Sequence, residues 1–359
     1  MHACVRACGR RTPLPRAPGG GNGIPTTPGD RVKVCVYLEH AQPSSWSSGV
    51  RQAYDNQLRA LRAAGVTVTS DPSEAFDLLH LHQLGPRSLY LAEKCSGRVP
   101  VVISAHTTAE DFANSFVMSD SLAPYLGRLL TYFYNKADLV ITPSAYTKQV
   151  LERAGVVRPI EVVSNGVDLQ RFHSLYRARR LARGRHFLRG VVAFAVGLVL
   201  LRKGVDLFCE VARRLPHLTF VWFGRIPKAV KPETLRVIDE APPNVRFPGY
   251  VENVTEAYAA GDIFFFPSSV ENEGIAVLEA AAAGRPLVLR DAECFAGRFV
   301  DNENALLAAD ADQFSLQLRR LVEEPDLRAR LAAAARRYAA AHSLERVGAR
   351  LREVYAGLL

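Results

Sequence analysis

Along most of this chain, short and nearly unbroken apolar runs take turns with stretches in which apolar residues recur every three or four positions. "VKVCVYL" (Val32–Leu38) is the first run, and "AYDNQLRALRAAG" after it has helical spacing at Tyr54, Leu58 and Leu61, with Gly65 as its stop. "VTVT", "DLLHLH", "VPVVISAH", "DLVITPS" and "PIEVVSNGV" read as further strands. Between the last two, "SAYTKQVLERAG" reads as a helix capped by Ser144 and ended by Gly155. After an arginine-rich connector the pattern restarts with "VVAFAVG", "LTFVWFG", "VRFPG", "DIFFFPS" and "PLVLR", again interleaved with helices. Strands that are apolar throughout belong in parallel sheets covered on both faces.

The pattern predicts an α/β protein of two Rossmann-like domains facing each other across a cleft, followed by C-terminal helices. The expected divisions are a disordered leader at 1–30 and a first domain at 31–185. A second domain covers 186–340, and a last helix at 341–359 packs back on the first. In open α/β sheets ligands bind at the carboxyl ends of the strands. The candidates for chemistry are therefore the residues just after strands: His106, Asn165, Gly197, Gly224, Gly249 and the loop Pro267–Gly274.

Composition narrows the class. With 359 residues, 48% of them hydrophobic and 23% charged, the chain is long enough for two cores and has the balance of a soluble globular protein. The longest apolar run, "VVAFAVGLVLL", falls short of the roughly 18–20 residues that span a bilayer. The Pro/Gly-rich start lacks the apolar centre of a secretory signal and reads as a leader, or as sequence upstream of the true start. Six cysteines form no C-x-x-C pair, which points to a cytosolic chain without disulfides. The net charge is +9, and seven arginines without an acid lie between Arg171 and Arg189. That run reads either as a solvated connector or as a patch for an anionic membrane surface. No recognition motif accompanies it, so nucleic acid is not an expected partner.

"PSSVENEGIAVLEAAAAG" (267–284) carries the chemistry. Gly274 follows a strand and opens a helix whose first N–H groups lack internal partners, so an anion is favoured there. Upstream, "LVLLRKG" puts Arg202 and Lys203 after another strand, two cations suited to a departing diphosphate. Glu279, one turn into the helix, suits the vicinal hydroxyls of a ribose, while Glu271 faces the transferred group.

These residues resemble the family-4 retaining glycosyltransferases with a GT-B fold. "PSSVENEGIAVLEA" looks like their E-x7-E signature, "AVGLVLLRKGVDLF" like the glycine-to-lysine-glycine segment, and "VVSNGVDLQRF" like the turn before the interdomain connector. The resemblance implies a nucleotide-diphospho-sugar donor, no cofactor and no bound metal. Arg202 and Lys203 would stabilise the leaving diphosphate, with Glu271 at the donor sugar and His106 lining its pocket. Gly197, Gly224, Tyr250, Gly274, Ile275, Ala276 and Glu279 would bind the donor. Two departures stand out: Leu198 replaces a usual arginine, and the N-terminal glycine loop is reduced to "SSGV" with Gly49 on the acceptor side. "DAD" at Asp310–Asp312 reads as a helix cap rather than a metal site.

"HTTAEDF" looks like the subgroup that glucosylates diacylglycerol, with Glu110 and Asp111 near the acceptor hydroxyl. The next segment, "SLAPYLGRLLTYFYNKAD", reads as a core helix or as a surface helix dipping its aromatics (Tyr125, Tyr132, Phe133, Tyr134) and leucines into a lipid interface beside Arg128 and Lys136. The expectation is a cytoplasmic hexosyltransferase, peripheral on the inner membrane face, moving glucose from a nucleotide sugar such as UDP-glucose to a lipid. A soluble sugar or polysaccharide acceptor, and a non-catalytic nucleotide-sugar-binding protein, are the alternatives.

Overall fold

The computed structural model describes residues 32–39 and 48–359; the expected leader at 1–30 lies outside the described residues. Two parallel six-stranded sheets organise the chain. The first is built from Lys33–Tyr37 (β1), Thr67–Thr69 (β2), Leu78–Leu81 (β3), Val101–Ser104 (β4), Leu139–Thr142 (β5) and Ile160–Val162 (β6), in the order β2-β1-β3-β4-β5-β6. The second comprises Val192–Val196 (β7), Thr219–Phe223 (β8), Val245–Gly249 (β9), Ile263–Phe266 (β10), Leu287–Arg290 (β11) and Leu306–Ala308 (β12). Its order is β12-β11-β10-β7-β8-β9. β3, β4, β5 and β10 are buried at every position, as strands covered by helices on both faces must be.

In both sheets the order reverses beside the first strand, which opens a crevice at the carboxyl ends. A fully buried aromatic cluster holds the second sheet. Phe208 meets Trp222 edge-on at 5.0 Å and stacks on Phe265 at 5.1 Å, and Phe265 reaches Phe314 at 5.0 Å. Such ring pairs contribute roughly 0.5–1.5 kcal/mol each beyond their buried area.

One feature corrects the sequence reading: β12, a three-residue edge strand in an alanine-rich context, was not expected. The connector before residue 185 packs on the second sheet. The helix Tyr176–Arg185 packs on the helix Thr255–Ala260, and Phe172, Leu175 and Ala182 join the core of the second sheet. Two arginines of the connector are bound inward, Arg179 and Arg183 pairing with Asp262 at 2.5 and 3.0 Å, and exposed Arg185 pairs with Glu256 at 2.8 Å on the surface.

The chain crosses between domains at the turn Asn165–Val167 and returns beside it, where Val167 N donates to His342 O at 3.0 Å and Val167 bridges Ser343. The helix Leu344–Ala356 then lies against the helix Ser48–Ala63 and buries Leu344, Val347, Leu351, Val354 and Tyr355 with Val34, Val36 and Val102. Tyr355 OH reaches His80 Nδ1 at 2.7 Å under the first sheet.

Candidate active site

The loop Pro267–Gly274 leaves the carboxyl end of β10, the central position beside β7, and runs into the helix Ile275–Ala282. Gly274 takes φ 84°, a left-handed conformation that glycine adopts without a steric penalty. No side chain caps the helix start, so the amides at Ile275 and Ala276 keep the free donors and the positive dipole end that suit an anion.

Beside this turn, Lys203 Nζ lies 2.5 Å from Glu271 Oε1 and 5.4 Å from the centre of the Phe266 ring. Ser268 Oγ donates to the same carboxylate oxygen at 2.7 Å. Burial alone would raise the Glu271 pKa; Lys203, Arg202 and the Ser268 hydroxyl outweigh it and hold the group below the usual carboxylate range. Glu271 is therefore an ionised carboxylate in a nearly dry pocket, matched by a single ammonium.

Arg202 has a different setting from the one expected. It is buried, and its guanidinium crosses the cleft to Asp111 at 2.9 Å and Ser115 Oγ at 3.0 Å, and donates to Val270 O at 2.6 Å. Its fork ties the first domain to the glutamate loop, while Lys203 stays on Glu271 and Arg298 donates to Glu273 O at 2.8 Å beside the helix start. Asp111 and Glu110 sit in the short helix Ala109–Phe112, capped by Thr108, and Glu110 accepts from Tyr146 OH at 2.9 Å. The acceptor-side acids thus reach the cleft, one of them as Arg202's partner. Gly49 does not lie in a loop: it is exposed in the first turn of the helix Ser48–Ala63, and residues 40–47 lie outside the described residues.

Glu279, fifth in its helix, is buried and accepts from Tyr258 OH at 2.8 Å. Burial raises its pKa to about 7, with Tyr258 and Arg171 offsetting part of the effect. Gly197 and Gly224 end β7 and β8 in contact: a β-carbon on Gly224 would stand 1.7 Å from Gly197 O. Trp222 Nε1 donates to that same carbonyl at 2.9 Å, fixing the floor beneath the pocket. Tyr250 is 58% exposed at the end of β9, and the Arg225 guanidinium lies over its ring at 5.1 Å.

His106 follows β4, and its Nε2 lies 3.0 Å from His82 Nδ1, with the rings stacked at 5.2 Å. Burial brings its pKa down to about 4, so it is neutral at physiological pH. Its carbonyl accepts from Asn272 Nδ2 at 2.8 Å, and the Asn272 carbonyl accepts from Ser144 Oγ and Thr147 Oγ1 at 2.5 and 2.9 Å. Buried Glu273 accepts from Asn165 N at 2.9 Å. Sequence reasoning assigned no role to Asn272, Glu273 or His82, although a histidine inside the apolar strand run "DLLHLH" was a visible signal. Asp310 caps the helix Ala311–Glu323 by accepting from Gln313 N at 2.9 Å, as the "DAD" reading expected.

The arrangement is a cleft with a polar seam, a matched carboxylate–ammonium pair and a free helix amide end on one wall. A glycosyltransferase group 1 model matches residues 182–338, and a glycosyltransferase family 4 model matches residues 25–171. The chain is 35% identical over 301 residues to the processive diacylglycerol alpha-glucosyltransferase of Acholeplasma laidlawii, covering 82% of this chain and 89% of that one. It is 29% identical to the alpha-galactosylglucosyldiacylglycerol synthase of Streptococcus pneumoniae, over 74% and 75% of the two chains. Its fold is similar to that of HepE from Anabaena, solved in complex with UDP-glucose, with a TM-score of 0.73 at 17% identity, over 91% of this chain and all of that one. The chain belongs to the group 1, family 4 glycosyltransferases and has their two-domain GT-B fold.

Proposed function

We propose that the protein is a retaining, metal-independent glucosyltransferase that moves glucose from UDP-glucose to a membrane lipid, diacylglycerol being the first choice. The observation that carries the donor half is the buried Lys203–Glu271 pair beside the open helix start at Gly274. A diphosphate that enters there exchanges water for Lys203 and the amides of Ile275 and Ala276, and its growing negative charge on bond cleavage is what those groups stabilise. Lys203 released to the phosphate leaves Glu271 free to meet the sugar. Glu279 then takes the ribose hydroxyls, exchanging Tyr258 for them, and neutral His106 lines the sugar pocket. The base lies toward Gly224 and Tyr250. No step needs a divalent cation, because ammonium and amide groups supply the positive charge.

The lipid half rests on the two diacylglycerol-glycolipid relatives and on the helix Ser119–Tyr134. Its inner face buries Leu130, Phe133 and Tyr134, while Leu122, Tyr125, Leu129 and Tyr132 are 45–68% exposed. At 100° per residue these four fall within an arc of roughly 80°. Val117 and Met118 extend the apolar surface at 52% and 66% exposure, and Arg128 is exposed on the same helix. An apolar stripe with aromatics and an exposed cation suits the boundary between headgroups and acyl chains. No helix among the described residues is long and apolar enough to cross a membrane, so a peripheral seat on the cytoplasmic face fits the reading.

The test is incubation of the purified chain with labelled UDP-glucose, with and without phosphatidylglycerol vesicles carrying diacylglycerol, in excess chelator. The expected product is an α-glucosyl lipid that forms only with vesicles. A product formed equally well on soluble sugars would move the acceptor to a sugar. Absence of both transfer and slow donor hydrolysis would leave a binding protein instead.

A further inference from the structure

At the opposite pole of the second sheet, below the amino ends of β7, β10 and β11, lies a cavity of about 520 Å³. Val191, Asp262 and Pro286, each immediately before one of those strands, line it together with Arg179, Arg285 and Arg328. Gly284 also lines it, and Arg336 lays its guanidinium there, so close that a β-carbon on Gly284 would stand 2.2 Å from Arg336 Cζ. Asp262 is the acid in the wall, and its two oxygens are already taken by Arg179 at 2.5 Å and by Arg183 at 3.0 Å. Asp326, in the first turn of the helix Pro325–Ala340, is exposed and outside the lining.

Arg285, Arg328 and Arg336 make no side-chain hydrogen bond or ion pair among the described residues, and Arg285 Nε is buried with no partner at all. Buried donors in native proteins are nearly always satisfied, and buried cations are paired. Of the five guanidinium groups around this one carboxylate, Arg179 and Arg183 are paired with it, Arg336 is exposed and Arg328 partly so, and Arg285 keeps a buried Nε donor that an anion would satisfy. Burial first, then Arg179 and Arg336, pull the Arg285 guanidinium down to about 10, with Asp262 opposing them.

We propose that this cavity is a binding site for a phosphate-bearing anion, held by Arg285 and Arg328 with Arg179 and Arg336 around it. Planar guanidinium forks bind phosphate oxygens in pairs, and the volume admits a diphosphate or a phospholipid headgroup rather than a single ion alone. The site is separate from the donor site, about 16 Å away along the five-residue strand β7. An anion here also joins the helix Tyr176–Arg185, which leads in from the first domain, to the helix Pro325–Ala340. This inference does not rest on the donor reading.

The test is thermal unfolding of the full chain at constant ionic strength, with inorganic phosphate or diphosphate replacing chloride. A rise of several degrees is expected. Arg285→Gln and Arg328→Gln should each unfold no lower than the parent without phosphate and lose more than half of that rise, parent and variants all being measured in a Lys203→Ala background so that diphosphate at the Lys203 end of the sheet does not contribute. Arg328→Gln alone carries the test if Arg285→Gln does not fold. In a parallel arm, binding to phosphatidylcholine vesicles with and without phosphatidic acid separates a lipid headgroup from a free anion. Phosphatidic acid binding that Arg328→Gln weakens identifies the lipid source. If Arg328→Gln shows the same phosphate rise and the same vesicle binding as the parent, or if the parent shows neither, the site is not an anion site.

Discussion

The two ends of the second sheet both gather cations, but pair them to different extents. At the carboxyl end Lys203 is matched by Glu271 and Arg202 by Asp111, each pair within 3 Å. At the amino end Arg285, Arg328 and Arg336 have no such partners among the described residues. A matched buried pair is a site ready to exchange partners, because a ligand that displaces one member leaves the other to do chemistry. An unmatched cluster carries a cost in the empty state that ligand binding removes. The difference shows why a buried ion pair says little about stability by itself and more about which charge is held in waiting.

The largest break in this comparison should come from Lys203→Ala. Loss of one preorganised donor to the leaving diphosphate is expected to lower turnover by about 10²–10³. Steady-state assays with the nucleotide sugar check it, and a near-normal rate would remove Lys203 from the reaction.

Glu279 sharpens the comparison through pH. Its folded pKa of about 7 exceeds the ordinary glutamate value of 4.5, so the folded state binds an extra proton between those values. Stability from this group is fully present below about pH 4.5 and is lost as pH rises through about 7. At roughly 1.4 kcal/mol per unit the loss is on the order of a few kcal/mol. Denaturant titrations at several pH values should show this decline in the parent relative to Glu279→Gln. Parallel curves would place the proton elsewhere.

Asp111→Asn is expected to cost about 2 kcal/mol, less than the usual figure for breaking a fully buried pair because the Asp111 side chain is a quarter exposed. Urea unfolding measures it, and an unchanged midpoint would mean that Ser115 and Val270 suffice for Arg202. The smallest change is expected from Tyr125→Ser with Leu129→Ser: weaker vesicle binding by roughly tenfold, with the unfolding temperature within a degree or two. Co-sedimentation reads the first and a melting curve the second.

Much of this was legible because parallel strands announce themselves as unbroken apolar runs, and because the donor wall is contiguous. Gly274, Glu271 and Glu279 lie in one loop and one helix, so spacing alone brings them together, whereas Lys203 follows β7, three βα units earlier, and meets them because β7 lies beside β10. What sequence did not disclose is carried by contacts between distant segments. Glu273 meets Asn165 across 108 positions, and Asn272 meets His106 across 166. Arg202 was expected on the phosphate, but its reach to Asp111 across the cleft is a tertiary fact. The connector teaches the same thing: in a run read as a solvated stretch or a membrane patch, Arg179 and Arg183 are anchors onto Asp262. The cationic cavity draws on residues from four separate elements, none conspicuous alone.

The polypeptide passes from one half to the other at Val167 and comes back at Ser343, immediately alongside. Two strands of chain at a single spot act as an axle. A swing of the halves about it would leave both sheets whole, but to admit a bulky nucleotide it would have to part the seam at Asn272 and Arg202 and the backbone bridge between Phe116 and Val230.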